Sequence, residues 1–347
     1  MNADNRPFVS NIGATMFEGF AAVWSPVCLS RDLRGDGPSS VRFAGEKIVF
    51  FRDASGVARA LIDRCPHRGV QLSLGNRTAD GCIACPFHGW EFAGDGAVKH
   101  VPFNPDAKTE RLGATALPCR EIAGILWVYT AAMDSDAPPP EPTLPESLTR
   151  EGVTRCSLSL EWKAHWTRAM ENMLDSPHVP FVHRTTIGRF MQDKIKRDSR
   201  MDMNWEETDY GGESSFVMDG NAGGGKLRFY KPNIMELHID PPNKFFRIIS
   251  VCVPIDREHV RMLIVGSRSF ARSRLLNPFF ARSNRVIAEQ DRAIVESSSP
   301  TEVPPAKDER SVRTDSVTLA FRKYYFDTLR PSSAHDPNGP RALPVVT

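Results

Sequence analysis

The sequence has few of the features that mark membrane, secreted or nucleic-acid-binding proteins. No run of 18 apolar residues occurs in its 347 residues, so no membrane-spanning helix is expected. The net charge is only +2, and a chain so close to neutral does not favour nucleic acid as its partner. The N-terminal stretch MNADNRPFVSNIG lacks a basic segment followed by an apolar core, so a secretory signal is not expected.

The cysteines do not follow the pattern of a disulfide-stabilised protein. There are seven of them, widely scattered along the chain. An odd number without regular spacing argues against a disulfide framework. We therefore expect a reducing, cytoplasmic environment, where clustered cysteine and histidine more often bind metal.

The length and the distribution of turn residues predict two domains. Residues 41–130 contain short β-prone runs separated by Gly, Asp and Asn, which predict a small all-β domain. Residues 134–147 contain five prolines and predict an extended linker with few contacts. We place the domains at 1–136 and 151–347, joined by a linker at 137–150.

The second domain has mixed patterns and is predicted to be α+β, with helices covering an antiparallel sheet. Residues 159–183 begin like a strand and become helical. The Gly-rich stretch 211–226 predicts a mobile loop, and 245–270 predicts a hairpin around Asp256 to Glu258. Residues 278–299 predict a helix.

Two short motifs, CPHRG and CPFHGW, place one Cys and one His in each of two predicted loops. Their ligands follow the spacing C-x-H-x17-C-x2-H, formed by Cys65, His67, Cys85 and His88. Such a set can hold zinc in a tetrahedron or a [2Fe–2S] cluster with two Cys on one iron and two His on the other. Pro and Gly in both loops favour the cluster, because they fit tight turns whose N–H groups can point at sulfur.

A second group of metal ligands is predicted downstream, in ENMLDSPHVPFVH. On a regular helix, His178 and His183 would point in different directions, because they are five residues apart. Pro177 and Pro180 should distort the helix and allow both imidazoles to face one point. Two His and one carboxylate form the ligand set of a mononuclear non-haem Fe(II) site that activates O2.

The third ligand is expected on the helix 278–299. Asp291 falls in the middle of its apolar face, among Ile287, Ala288, Ile294 and Val295. An unpaired carboxylate among aliphatic side chains is costly, so Asp291 is expected to bind a cation. The alternative is an aspartate paired with an arginine.

These motifs together resemble the oxygenase (α) component of the Rieske non-haem iron oxygenases. The cluster spacing resembles that family's Rieske motif, and EQDRAIVES resembles the segment carrying its carboxylate ligand, which falls on Asp291. The family pattern N-x2-D-x2-H-x4-H matches Asn172, Asp175, His178 and His183. The size resembles the branch of vanillate and dicamba demethylases and of chlorophyllide or pheophorbide oxygenases.

The resemblance implies an N-terminal Rieske domain and a helix-grip-like α+β catalytic domain. The implied ligands are Cys65, His67, Cys85 and His88 for the [2Fe–2S] cluster and His178, His183 and Asp291 for Fe(II). Electrons would come from an NAD(P)H-dependent reductase, directly or through a ferredoxin, with O2 as co-substrate. In an implied homotrimer, Asp175 would connect a cluster to His178 of the neighbouring subunit, and Asn172 would tune the approach of O2 or order the site.

The implied activity is hydroxylation or O- or N-demethylation of an aromatic or polycyclic small molecule. Cis-dihydroxylation of an aromatic ring is the alternative within the family. An electron-transfer protein without oxygen chemistry and a zinc-stabilised structural protein are the alternatives outside it.

Overall fold

The computed structural model of the chain describes residues 17–33, 37–131, 138–222 and 225–330. Its N-terminal region is built from short antiparallel strands, as the β-prone runs predict. They are β1 (Trp24–Leu29), β2 (Ser39–Phe43), β3 (Glu46–Arg52), β4 (Ala58–Ile62), β5 (Asn76–Arg77), β6 (Ile83–Ala84), β7 (Glu91–Phe92), β8 (Val98–His100), β9 (Ala116–Leu117), β10 (Cys119–Ile122) and β11 (Ile125–Tyr129).

These strands form three small sheets, ordered β1-β11-β10, β2-β3-β4-β9 and β5-β6-β7-β8. The loop with CPHRG follows β4, and the loop with CPFHGW joins β6 to β7. A small apolar core beside these loops contains Ile83 and Phe92 together with Cys65 and Cys85. Since both cysteines are packed into this core, their neighbours as well as the backbone fix their positions.

The described part of the proline-rich segment, residues 138–147, contacts both regions. Trp24 Nε1 donates to the carbonyl of Pro140 at 2.6 Å, and Ser147 Oγ donates to Glu236 Oε1 at 2.5 Å. The prediction of a segment with few contacts was therefore wrong. The predicted boundary at residues 136 and 137 lies outside the described residues.

The C-terminal region combines one large antiparallel sheet with helices. In chain order its elements are α1 (Glu146–Thr149), β12 (Thr154–Trp162), α2 (Trp166–Leu174), α3 (Val179–Val182), α4 (Arg189–Gln192), β13 (Met201–Thr208), β14 (Gly211–Met218), β15 (Asn221–Ala222), β16 (Lys226–Tyr230), β17 (Ile234–His238), β18 (Phe246–Pro254), β19 (Val260–Arg268), α5 (Asn277–Val295) and α6 (Ser316–Tyr324), followed by a π-helical turn, Tyr325–Leu329. The sheet is ordered β12-β19-β18-β17-β16-β14-β13, with β15 paired to β14. The α+β class is confirmed.

One predicted hairpin is present, and one predicted loop is a strand. The hairpin around Asp256 to Glu258 is formed by β18 and β19. The mobile loop predicted over 211–226 is wrong, because Gly211–Met218 pairs with both of its neighbours. A Cβ on Gly212 would lie 2.2 Å from a ring carbon of Trp205. Glycine here makes room for a neighbouring ring and does not mark a loop.

Helices α2 and α5 bring the predicted metal-binding segments together. Helix α2 packs on β17, β18 and β19, helix α5 packs on β12 and β19, and α3 contacts α5. The end of α2, the turn α3 and the middle of α5 therefore meet at one place. Within the described ranges, no helix has the length and apolar character needed to cross a membrane.

Candidate iron centres

The two loops of the N-terminal region repeat the same backbone hydrogen bonds. The N–H of Gly69 donates to the carbonyl of Cys65 at 2.9 Å, and Gly89 donates to Cys85 at 2.9 Å. Both glycines are left-handed, with φ of +72° and +71°, a conformation that favours glycine. The loops are therefore near copies in space, as their sequences suggest.

These loops separate sulfur donors from nitrogen donors. Cys65 and Cys85 are 2% and 4% exposed, whereas His67 is half-buried and His88 is exposed. The two imidazole centroids lie 4.8 Å apart, and the Trp90 ring stacks on His67 at 4.5 Å. The sulfur side of the site is thus internal, and its imidazole side faces solvent.

This arrangement fits a two-iron cluster better than one zinc ion. Among the described residues, no three of these four donors lie within 4.8 Å of one another. The ligands of one tetrahedral zinc, at bonds of about 2.0–2.3 Å, would all lie closer together than that. A [2Fe–2S] cluster spreads its Cys and His ligands over two irons.

The surroundings of Cys65 favour the protonated thiol over the thiolate that a metal binds. Burial, together with the neighbouring Cys85 thiol, raises the pKa of Cys65 to about 11, although N–H groups of His67 and Arg68 point to its sulfur. A metal binds the thiolate and releases the proton. The same N–H groups would then stabilise the bound sulfur, so the loop suits a charged ligand.

In the C-terminal region, three donor atoms predicted as ligands converge. His178 Nε2 lies 3.3 Å from His183 Nε2 and 3.4 Å from Asp291 Oδ1, and His183 Nε2 lies 3.1 Å from the same oxygen. It is the one group of three or more potential metal ligands among the described residues whose donor atoms meet in this way. Two basic nitrogens and a carboxylate oxygen at these distances can surround one cation.

A distorted backbone produces this convergence, as the two prolines predict. His178 directly precedes the short turn α3 and His183 directly follows it, with Pro180 near the start of the turn. The chain then folds back so closely that a Cβ on Gly188 would lie 2.1 Å from the carbonyl oxygen of Val179. Since one regular helix would separate the two imidazoles, the broken path is what lets both face Asp291.

Each histidine is held by a partner on its other ring nitrogen. Asp175 Oδ2 lies 3.2 Å from His178 Nδ1 and accepts from the His178 backbone N–H at 3.0 Å. Gln290 Oε1 lies 3.0 Å from His183 Nδ1. Such bonds fix the tautomer and direct the Nε2 lone pair to the metal position.

The charges of the site favour a cation. Burial alone would raise the pKa of Asp291, but the nearby imidazoles of His178 and His183 outweigh it and lower the pKa to about 2. Burial alone would lower the pKa of His178, but Asp175 and Asp291 raise it to about 9. Asp291 therefore remains a carboxylate, and without metal a proton takes the place of the cation at His178.

Two unsatisfied polar atoms lie at the same point. Asp291 Oδ1 and Asn172 Nδ2 are buried and have no hydrogen bond of good geometry. Asn172 nevertheless lies close enough to help lower the pKa of Asp291. Buried polar groups are rarely left unpaired, so these atoms and the two Nε2 atoms fit a bound iron with its ligand sphere.

Two other carboxylates, in α5 and directly after it, are engaged elsewhere. Glu289 and Glu296 both pair with Arg292 on the outer side of the helix. Asp291 is buried as expected, although Ile294 of the predicted apolar face is 53% exposed. The contact of Gln290 with His183 was not predicted, because an amide on a helix has no periodicity that marks it.

Family models match the segments that carry the four cluster residues and the two histidines of the second site, whereas Asp291 lies beyond the matched residues. A Rieske [2Fe-2S] domain matches residues 23–115, and a vanillate O-demethylase oxygenase C-terminal domain matches residues 162–232. The chain therefore carries a Rieske [2Fe-2S] domain and an oxygenase C-terminal domain, and these two domains imply a Rieske cluster and a mononuclear iron.

Similar proteins cover more than one reaction. Chlorophyllide a oxygenase of Chlamydomonas reinhardtii is 37% identical over 50% of this chain and 26% of its own length. The oxygenase subunit of 3-chlorobenzoate-3,4-dioxygenase from Comamonas testosteroni is 32% identical over 50% of this chain and 40% of its own. The chain spans 26% to 55% of the length of the first curated relatives it matches.

Solved structures share its fold. NdmB of Pseudomonas putida CBB5 superposes with a TM-score of 0.76 at 23% identity, covering 90% of this chain and 92% of that one. At this identity the likeness concerns the fold alone.

Proposed function

We propose that the chain is a terminal oxygenase component that uses O2 and electrons from an NAD(P)H-dependent reductase. Its substrate is an aromatic or polycyclic small molecule, which it hydroxylates or demethylates at oxygen or nitrogen. The observation that carries the proposal is the meeting of two imidazoles and one ionised carboxylate at a single buried point. A match to a vanillate O-demethylase oxygenase domain over the segment with both histidines supports the demethylase form.

The proposal gives each ligand a role. Cys65, His67, Cys85 and His88 bind the [2Fe–2S] cluster within a domain at 1–136. His178, His183 and Asp291 bind Fe(II) within a domain at 151–347, and the segment 137–150 joins the two domains. Iron, when bound, supplies the site of O2 activation. The protein's own residues orient the two imidazoles, keep Asp291 ionised and restrict access of water.

Asp175 is proposed as the electronic connection. It holds His178 Nδ1, and its side chain is still 26% exposed. Together with Asn172 it lines a cavity of about 280 Å³ at the surface. An accessible carboxylate bonded to an iron ligand, and an exposed imidazole edge at the cluster, support contact between subunits of a homotrimer.

The imidazole side of the cluster is also the proposed entry point for electrons. His88 is exposed, and the adjacent Phe87 is 59% exposed. A reductase or a ferredoxin can approach this edge directly. The buried sulfur side offers no such access.

Cis-dihydroxylation remains the second candidate, because a 3-chlorobenzoate dioxygenase subunit is 32% identical over half of the chain. A pure electron-transfer role leaves the converging His and Asp donors without a purpose. Product mass separates the two oxygenation reactions, since a diol gains two oxygen atoms and a hydroxylated or demethylated product arises from one.

The test uses purified, iron-loaded protein with a generic reductase, NADH and a panel of aromatic methyl ethers, N-methyl compounds and unsubstituted polycyclic compounds. Oxygen uptake, formaldehyde release and product mass are read together. We expect about three irons and two acid-labile sulfides per chain and substrate-dependent O2 uptake. Zinc in place of iron and sulfide, or full activity in His178→Ala, contradicts the proposal.

A further inference from the structure

Gln290 forms a set of hydrogen bonds between α5 and the loop that follows α3. Its Oε1 lies 3.0 Å from His183 Nδ1 and accepts from Thr186 Oγ1 at 2.8 Å. Its Nε2 donates to Thr185 Oγ1 at 2.9 Å. Both ends of the carboxamide are therefore engaged, and its oxygen faces the imidazole of His183.

That orientation decides which ring nitrogen of His183 carries the proton. A carboxamide oxygen only accepts hydrogen bonds, so Nδ1 must be the donor. The lone pair is then on Nε2, which lies 3.1 Å from Asp291 Oδ1. A reversed amide would present N–H groups to Nδ1, move the proton to Nε2 and block metal binding.

The two histidines differ in the charge of their partners. His178 bonds to the carboxylate of Asp175, which lies partly exposed, whereas His183 bonds to a neutral amide and is only 2% exposed. A second carboxylate would add negative charge at a buried point where Asp291 already carries one. The neutral acceptor orients His183 without that cost.

We propose that Gln290 is a positioning residue that fixes the tautomer and ring orientation of His183 for metal binding. This inference rests on the proposed function, because it concerns the same metal position. Gln290 is not one of the three converging donors, and its contact with the site is through His183.

The experiment measures metal binding rather than turnover. The mononuclear metal is removed by chelation from protein with an intact oxidised cluster, and Co(II) is bound in its place. Affinity is determined by equilibrium dialysis, and geometry by the EPR spectrum of Co(II), since the oxidised cluster is EPR-silent. The variants are Gln290→Met, which keeps length but loses the amide, and Gln290→Glu, which keeps the acceptor. Glu289→Gln, on the exposed side of the same helix, is the matched control.

We expect Gln290→Met to weaken Co(II) binding roughly 10- to 100-fold and to change its EPR spectrum, as loss of a ligand's supporting bond does elsewhere. Gln290→Glu should bind Co(II) no more weakly than wild type, and Glu289→Gln should match wild type. Wild-type affinity and spectrum in Gln290→Met overturn the inference while leaving the proposed function intact. An equal loss of Co(II) affinity in Glu289→Gln also overturns the inference. If the wild type fails to bind one Co(II) per chain, both the inference and the proposed function are contradicted.

Discussion

The two candidate metal centres are built in opposite ways. The cluster ligands come from two near-identical loops within 24 residues, with sulfur inside and imidazole outside. The mononuclear ligands come from the α3 segment and from Asp291, more than 100 residues later, and the whole site is buried or half-buried. A surface cluster can exchange electrons with a partner, whereas a buried site can exclude water from reactive oxygen chemistry.

The largest expected effect is the complete loss of one metal centre while the other is retained. Asp291→Ala removes the charged ligand, so the mononuclear iron should be lost and turnover should fall by roughly 1,000-fold or more, while the visible spectrum of the cluster persists. Iron analysis, absorption and O2 uptake check this. Cys85→Ser is the reciprocal variant and should lose the cluster while Co(II) still binds. Loss of both centres in either variant would show that they are not independent.

Asp175→Asn should interrupt electron transfer between the two centres while both centres remain intact. The amide oxygen can still accept from His178, so iron content should stay normal, but turnover with reductase should fall roughly 100-fold because the carboxylate is gone. Steady-state rates and metal analysis provide the measurement. Asp193→Asn, an exposed aspartate, is the control. Near-normal turnover of Asp175→Asn with reductase would contradict the proposed role of Asp175 in electron transfer.

Acid should destabilise the scaffold of the buried centre through His165. Its Nδ1 accepts from the N–H of Thr167 at the start of α2, and burial lowers its pKa from 6.5 to about 3. The unfolded chain therefore binds an extra proton between these values, so stability is complete above pH 6.5 and declines as pH falls. Between pH 6.5 and 5, wild type should lose about 2 kcal/mol more than His165→Asn, which keeps a cap.

Urea unfolding at several pH values, followed by tryptophan fluorescence, tests the His165 prediction. The comparison concerns the slopes, so a constant difference in stability between the two proteins does not matter. Parallel slopes over this range would contradict it. Thr301→Val, on a different segment, supplies a variant whose slope should equal that of wild type.

The smallest expected effect is a change in the reduction potential of the cluster when a neighbouring aromatic ring is removed. Trp90→Leu removes the ring that stacks on His67 at 4.5 Å, but the Cys and His ligands remain. We expect a retained cluster with a modest shift in its reduction potential, because solvent exposure and the surroundings of the ligands tune that potential. Protein-film voltammetry checks the shift, and Phe103→Leu, at a fully exposed aromatic residue, is the control. Loss of the cluster in Trp90→Leu would mean that the stacking is structural.

Local sequence was most informative where ligand and scaffold are neighbours. The spacing of CPHRG and CPFHGW predicts the two turns because Pro and Gly act on their own backbone. Periodicity predicts that Asp291 is buried on α5, since side chains three and four residues apart share a helix face. Composition misled where glycine makes room for another strand, as at Gly212 beside Trp205.

The sequence alone determined the β and α+β character of the two regions, the paired loops and the residue types available to bind metal, because these follow from local backbone preferences and periodic burial. Only the tertiary structure decided that Asp291 meets His178 and His183, and that Gln290 rather than a carboxylate supports His183. Those contacts depend on how α2, α3 and α5 pack on one sheet. Packing between distant segments is set by the shape of whole surfaces, which no short stretch of sequence contains.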